Sequence, residues 1–325
     1  MARTVVRDGF SRKSVAMNRP AMKASGKTGR ASGLMVLGAV LIGTNGLMVF
    51  LAGTPPTISA FWRMFLSGVL LLALCRLSGR WRPLPLRSWL WSLLPAAAFA
   101  ADLWFWHRSI LMVGPGVATL LTNTQVFFMA LAGLVLYRER LGGRFLAVSL
   151  LAFFGLWLLL GSGPVQRGPD HGWGVALGIA SALCYTVYNL GLKRSLQDAA
   201  DSGQTVSALQ TLAMVSIGSA VMLGIAGMVE GVDFLPPSRA SFGWLLLLAV
   251  LGHCLSWGLI STAIPHLRVA MVGLILMVQP IVSYLLDVAL LGVNPTPVEW
   301  TGLGLSLAGI LLAGLKRRNK VQPET

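Results

Sequence analysis

The chain has 325 residues, of which 55% are apolar and only 11% charged, and it carries a formal charge of +15 with a mean hydropathy of +0.72. A soluble domain holds about 25% charged residues, so two soluble domains are excluded, and the apolar content is too high for a disordered chain. Three cysteines, Cys75, Cys184 and Cys254, all within apolar runs, exclude a disulfide scaffold. The basic excess fits either nucleic-acid binding or a membrane protein, and the positions of the basic residues must decide.

Residues 1–31 are basic and polar and read as a cytoplasmic tail near anionic lipid. Ten apolar blocks follow, each near the length needed to cross about 30 Å of hydrocarbon as a helix. They are Ser32–Ala52, Thr57–Leu77, Trp89–Leu111, Gly116–Tyr137 and Phe145–Gly161, then Trp173–Leu192, Thr205–Met228, Phe242–Ala263, Val269–Leu291 and Val298–Leu315. The connections are short and carry breakers such as Thr54-Pro55-Pro56 and Asn294-Pro295-Thr296-Pro297. Continuous apolar runs, rather than alternating ones, exclude a membrane β-barrel. The first block is too long for the core of a signal peptide and counts as a span.

With the N-terminus placed in the cytoplasm and the sides alternated, 22 of the 26 Lys and Arg fall on the inside. Only Arg108, Arg167 and Arg239 fall outside, and Arg63 lies within the second block. That bias predicts ten helices with both termini cytoplasmic, in the inner membrane. Trp81, Trp89 and Trp91 flank an inside boundary and read as interfacial anchors.

The halves resemble one another. Shifting the fourth and fifth blocks by 154 positions onto the ninth and tenth, without gaps, pairs Gln125 with Gln279 and Gly155 with Gly309. Five helices per half force opposite orientations, so the expected fold is an all-α membrane protein of two inverted five-helix repeats around a central cavity. The repeats are expected at 32–161 and 173–316, joined by a loop at 162–172, with a tail at 317–325.

Three stretches resemble the drug/metabolite transporter superfamily, and more narrowly EamA-type exporters. They are Pro56 to Gly68 with Arg63, Val117-Ala118 through Glu139-Arg140-Leu141, and Leu276 through Gln279-Pro280. Two positions depart from the pattern: Gln125-Val126 where a Pro is frequent, and Val293-Asn294 where a Glu-Arg turn could recur. The aromatic-rich third block is similar to YddG-type amino-acid exporters. The resemblance implies a basket of ten helices with the fifth and tenth at the periphery.

Ionisable and amide side chains at membrane depth are costly and mark candidate sites. Ser59, Arg63 and Ser67 share one helix face; Arg63 reads either as a carboxylate anchor or as a structural cation capping carbonyls. Asp102, with Trp106 one turn on, suits a substrate ammonium or a coupling proton, or an ion pair with Arg63 or Arg108. Gln279, Ser283 and Asp287 form a stripe beside Pro280, which removes a backbone hydrogen bond and frees the carbonyl of Leu276 for a gating role. Gln279 reads as cavity lining and Asp287 as interfacial or ion-paired. His253 with Trp257, and Tyr185 with Asn189, form two further stripes; His253 is a packing residue or a proton carrier. Asn45, Asn123 and Gln125 need partners that their own backbones do not supply, whereas Thr119 and Thr122 can bond their own helix. The proposed substrate-binding wall is therefore Asn45, Asp102, Trp106, Asn123, Gln125, Tyr185, Asn189, His253, Trp257 and Gln279.

Zinc and Walker motifs are absent and the four His are scattered, so neither an enzyme, nor a metal site, nor a cofactor is expected. The expected function is secondary transport by alternating access, exporting aromatic and other neutral amino acids or related small metabolites. A multidrug exporter is the alternative, although small multidrug exporters of the superfamily use a Glu in helix one, which this chain lacks. A membrane receptor or enzyme is the remaining class. The expected partners are a small-molecule substrate and lipid, not nucleic acid, and the expected state is a monomer.

Overall fold

A computed structural model describes residues 21–79, 81–83, 86–113, 115–160, 170–201, 208–290, 292 and 294–314. The expected tails over 1–20 and 317–325, and the connecting loop over 162–169, lie outside these residues. Among the described residues there are helices and no strand. The first half comprises α1 (Ala21–Gly43), α2 (Asn45–Ala52), α3 (Pro56–Leu77), α4 (Leu86–Val113), α5 (Pro115–Asn123), α6 (Gln125–Val135) and α7 (Gly143–Leu160). The second comprises α8 (His171–Asp201), α9 (Ala208–Glu230), α10 (Arg239–Ala249), a π-helical stretch (Val250–Leu255), α11 (Ser256–Ala263), α12 (Val269–Leu276), α13 (Val278–Leu290) and α14 (Pro297–Gly314).

Local chemistry sets the helix ends. Pro56 opens α3 at a position where its missing N–H costs nothing. At the start of α14, Glu299 accepts from the Thr296 amide at 2.6 Å while Thr296 Oγ1 accepts from the Glu299 amide at 3.3 Å, a reciprocal capping box. Among the described residues, eight stretches are long and apolar enough to cross a membrane: 28–52, 56–77, 117–135, 143–160, 171–197, 208–230, 239–266 and 269–290. α14 is shorter, and α4, although 28 residues long, is diluted by Arg87, Asp102, His107 and Arg108. Large apolar side chains such as Phe50, Leu74, Leu111, Trp157 and Leu311 face outward, as lipid-facing surfaces require.

Several of these spans are interrupted. α1 and α2 part at Thr44, α5 and α6 at Thr124, and α12 and α13 at Met277. The Thr44 and Thr124 hydroxyls donate to the carbonyls of Leu41 and Leu121 at 2.7 and 2.6 Å. Each competes there with the helix's own amide, the usual way Ser and Thr bend helices. The third break comes three residues before Pro280, whose ring cannot supply the next amide.

The two halves meet in a symmetric contact between α7 and α14. Ser306 Oγ donates to the Ala152 carbonyl at 2.8 Å, and these residues are 154 positions apart, the same offset that aligns the repeats. A Cβ on Gly155 would lie 2.6 Å from the Gly302 carbonyl oxygen, and one on Gly309 would lie 2.7 Å from the Val148 carbonyl oxygen. Val148 and Gly302 are themselves 154 apart. Rising numbers on α7 therefore meet falling numbers on α14. The pair is antiparallel and isologous about a local two-fold axis perpendicular to the helices. Gly174 and Gly178 make a second close approach, of α8 to Met112, Val113 and Leu121.

Gly155→Ala should lower the stability of the detergent-solubilised protein by about 1–3 kcal/mol, because its new methyl meets backbone that has no room to give. Gly304→Ala, where a Cβ meets nothing within 4 Å, should leave the melting temperature unchanged or slightly raised. Thermal unfolding of the two variants checks both outcomes.

Candidate functional site

A cavity of about 140 Å3 lies where the interrupted helices meet. α1 and α2 contribute Ile42, Gly43, Asn45 and Gly46; α3 contributes Arg63; α4 contributes Phe99, Asp102, Leu103 and Trp106. Thr119, Thr122 and Asn123 come from α5, Tyr185 from α8, Trp257 from α11, and Gln279, Pro280 and Ser283 from α13. The α4 set is spaced three, four and seven residues from Phe99, so it forms one helical face.

Two of the lining residues, Asn45 and Arg63, are anchored on the π-helical stretch. An extra residue per turn there leaves backbone carbonyls without their usual partners, and such bulges recur at functional sites. Asn45 Nδ2 and Arg63 Nη2 both donate to the Gly252 carbonyl, at 3.3 and 3.2 Å. Ser67 Oγ donates to the Ala249 carbonyl at 3.2 Å. The guanidinium of Arg63 also lies over the Phe99 ring, 5.7 Å from its centre. Gly252 has no side chain because the Asn45 amide occupies that space. Arg63 thus caps a carbonyl and lines the cavity at once, and its Nε is buried without a partner.

Asp102 is 6% exposed and accepts a hydrogen bond from Ser181 Oγ at 2.6 Å. Ser181 in turn lies 3.1 Å from the Thr122 hydroxyl, so a chain of three polar groups ties α4, α8 and α5 together. Arg108 pairs with Glu230 instead, stacked on Trp104, whose indole donates to the same carboxylate at 2.8 Å. Gln279 Nε2 donates to Tyr185 Oη at 3.0 Å across the cavity. Phe99, Tyr188 and Trp257 pack behind it, with ring centres 4.2 Å apart for Phe99–Tyr188 and 4.6 Å for Tyr188–Trp257.

Of the ten side chains expected to form the wall, Asn45, Asp102, Trp106, Asn123, Tyr185, Trp257 and Gln279 lie on this cavity. Gln125, Asn189 and His253 are buried elsewhere. Gln125 follows the break at Thr124 and turns into the protein. Asn189 Nδ2 donates to the Tyr185 carbonyl at 2.8 Å. His253 Nε2 lies 3.0 Å from Ser216 Oγ, facing α9. Pro280 lines the cavity, and Asp287 sits half-buried toward the end of α13, away from it. Phe99 and Leu103 were not singled out from the sequence, although their spacing from Asp102 and Trp106 carried the signal. Thr44 and Thr124 gave no sequence signal beyond Thr next to an amide residue.

Two segments of the chain, 30–161 and 172–315, match the EamA-like transporter family, one match per half. A solved protein structure superposes with a TM-score of 0.76 at 18% identity, covering 88% of this chain and 98% of that one, which is a likeness of fold. No curated protein matches the chain.

Gly252→Ala should displace Asn45 from its carbonyl and cost about 1–3 kcal/mol of stability, the range for leaving a buried polar group unpaired. In a double-mutant cycle with Asn45→Ala, the combined loss should be smaller than the sum, because the two residues compete for one space. Thermal unfolding of the four proteins measures this coupling.

Proposed function

We propose that this chain, which belongs to the EamA-like transporter family, is a secondary transporter that exports neutral amino acids or similarly dipolar small metabolites across the cytoplasmic membrane. The observation that carries the reading is the charge pattern of the cavity. One buried cation, Arg63, and one buried carboxylate, Asp102, share a wall whose other side chains are amides, hydroxyls, aromatic rings and the apolar Ile42, Leu103 and Pro280. A carboxylate placed at Arg63 and an ammonium at Asp102 with Trp106 would each meet an opposite charge in a low-dielectric site. Neither charge would then be left alone in the membrane, where lone charges are costly. Phe99, Tyr185 and Trp257 would take the side chain.

The volume bears on substrate size. A cavity of about 150 Å3 holds benzene, so the enclosed part here suits a compact substrate rather than a large multidrug cation. In the same reading, α4 and α14 complete ten spans with the eight long apolar ones, both termini are cytoplasmic by the positive-inside bias, and the halves alternate access around the cavity. The family is one of transporters, in line with a chain that binds and moves its substrate rather than transforming it.

Counterflow in proteoliposomes, run with a panel of neutral, aromatic and charged amino acids at two pH gradients, tests the assignment. Uptake of at least one neutral amino acid above empty vesicles is expected; no uptake across the panel, with uptake of hydrophobic amines instead, would move the assignment to multidrug export. Arg63→Gln and Asp102→Asn should each weaken apparent affinity by about tenfold or more, the scale of one lost charge-assisted hydrogen bond. Pro280→Ala should slow turnover more than it lowers folded yield, since it would repair the break in the ninth span; equal losses would make Pro280 purely structural.

A further inference from the structure

The repeat offset makes the two ends of the bundle directly comparable. At the end carrying Arg138, Arg140 and Arg268, α6 and α12 are in backbone-close contact. A Cβ on Gly273 would lie 2.7 Å from Met129 Cβ and 3.3 Å from Val126 Cα. Val126 and Met129 are fully buried there. Their counterparts 154 positions on are Pro280 and Ser283, and the counterpart of Gly273 is Thr119. All three line the cavity. One and the same symmetric contact is therefore closed at the basic end and parted at the other.

A carboxylate sits on the closed contact. Arg138, the non-glycine residue with positive φ (+50°) among those described, turns the chain back after α6, a conformation that costs an ordinary side chain energy. The turn brings the Glu139 amide to the Gly133 carbonyl at 2.8 Å and aims its side chain at the start of α12. Glu139 Oε1 accepts from the Val269 amide at 2.6 Å, and Oε2 from the Ala270 amide at 3.3 Å. Residue Arg268, at the N-cap position, provides no side-chain cap of its own, so a residue from the other half performs that task. An anion is well placed at a helix N-terminus. The carboxylate fits because Gly133 leaves a notch: a Cβ there would lie 2.6 Å from Glu139 Oε2. Arg268 Nε approaches the same oxygen at 3.9 Å and donates through Nη2 to the Arg140 carbonyl at 2.7 Å. Beside them Lys193 Nζ donates to the Leu267 carbonyl at 2.5 Å and lies 5.2 Å from the centre of the Tyr137 ring.

We infer that Glu139 is the latch of the closed basic end. Its carboxylate, seated in the notch of Gly133, caps α12 and so holds α6 against α12 while the cavity is open toward the opposite end. The inference rests on the alternating-access reading, because a latch is needed only if the same contact must later part. In sequence the latch has no twin: position 293, the counterpart of Glu139, is Val, and position 114, the counterpart of Arg268, is Gly. Of the two equivalent contacts, the α6–α12 one is thus the one that carries a carboxylate cap. Release of Glu139 should favour the state in which Pro280, Ser283 and Thr119 close instead.

The test uses thiol accessibility and no substrate, so it stands apart from the amino-acid assignment. In a background with Cys75, Cys184 and Cys254 replaced by Ala, single reporters Met129→Cys and Ser283→Cys are placed at equivalent positions of the two ends. They are labelled with a membrane-impermeant maleimide in nanodiscs, where both faces are accessible. Adding Glu139→Gln should raise the Met129→Cys rate and lower the Ser283→Cys rate, changing their ratio about tenfold, the scale of one charge-assisted hydrogen bond. Gly133→Ala, which keeps the carboxylate but fills its notch, should shift the ratio the same way. Unchanged rates at both reporters, or rates that rise together with a falling melting temperature, would overturn the latch; the second result would mean loosened packing.

Discussion

Backbone amides and carbonyls in hydrocarbon have no solvent to bond, so each must find its partner inside the protein. The chain interrupts or distorts helices around the cavity, at Thr44, Thr124, Met277 and the π-helical stretch Val250–Leu255, and thereby exposes the groups that lipid cannot satisfy. Part of the polar centre follows from this. Thr44 and Thr124 bond the carbonyls at their own breaks. Asn45 and Arg63 converge on the Gly252 carbonyl that the π stretch releases. Non-helical backbone at such depth is tolerated where it lines a cavity, and that is where the breaks lie. The polar cavity and the broken helices are one feature.

Inversion of the halves supplies the second constraint. At α7 and α14 the repeat symmetry is kept almost to the residue, through the Ala152–Ser306 hydrogen bond and the reciprocal approaches of Gly155 to Gly302 and Gly309 to Val148. Small residues let the backbones touch there, as membrane helices need when apolar burial gives no advantage over lipid. Between α6 and α12 the symmetry is broken, since the corresponding pair of α5 and α13 stands apart to form the cavity wall. A rigid symmetric seam at the periphery and an unequal contact at the centre belong to the same repeat, and the difference between them locates the space a substrate would enter.

The candidate site was legible from the sequence chiefly where a straight helix carried its residues. Asp102 and Trp106 lie one turn apart on α4, and both reach the cavity together with Phe99 and Leu103 on the same face. Reading failed where the helix was not straight. Asn123 and Gln125 straddle the break at Thr124, so that Asn123 faces the cavity while Gln125 is buried. His253 lies within the π stretch, whose wider turn carries it toward Ser216 rather than onto the face of Trp257. Asn189 differs: it lies on the uninterrupted α8, one turn beyond Tyr185, and its amide donates back to the Tyr185 carbonyl instead of reaching the cavity. Periodicity assumes about 3.6 residues per turn, and that assumption lapses at a break or a bulge.

Composition and pattern alone established an all-helical membrane chain, the approximate limits of its helices and the 154-residue offset of its halves. These are local properties: a run of apolar side chains must be buried in lipid or protein wherever it folds, and a repeat keeps its spacing whatever its packing. The tertiary structure decided which polar residues share one cavity, which helices break, and which end is closed. Near-equivalent segments, Val126–Met129 and Pro280–Ser283, pack in opposite ways in the same molecule. One long-range contact made beside the first of these segments joins Glu139 to the start of α12, 130 positions along the chain at Val269, and position 293, the counterpart of Glu139, is Val.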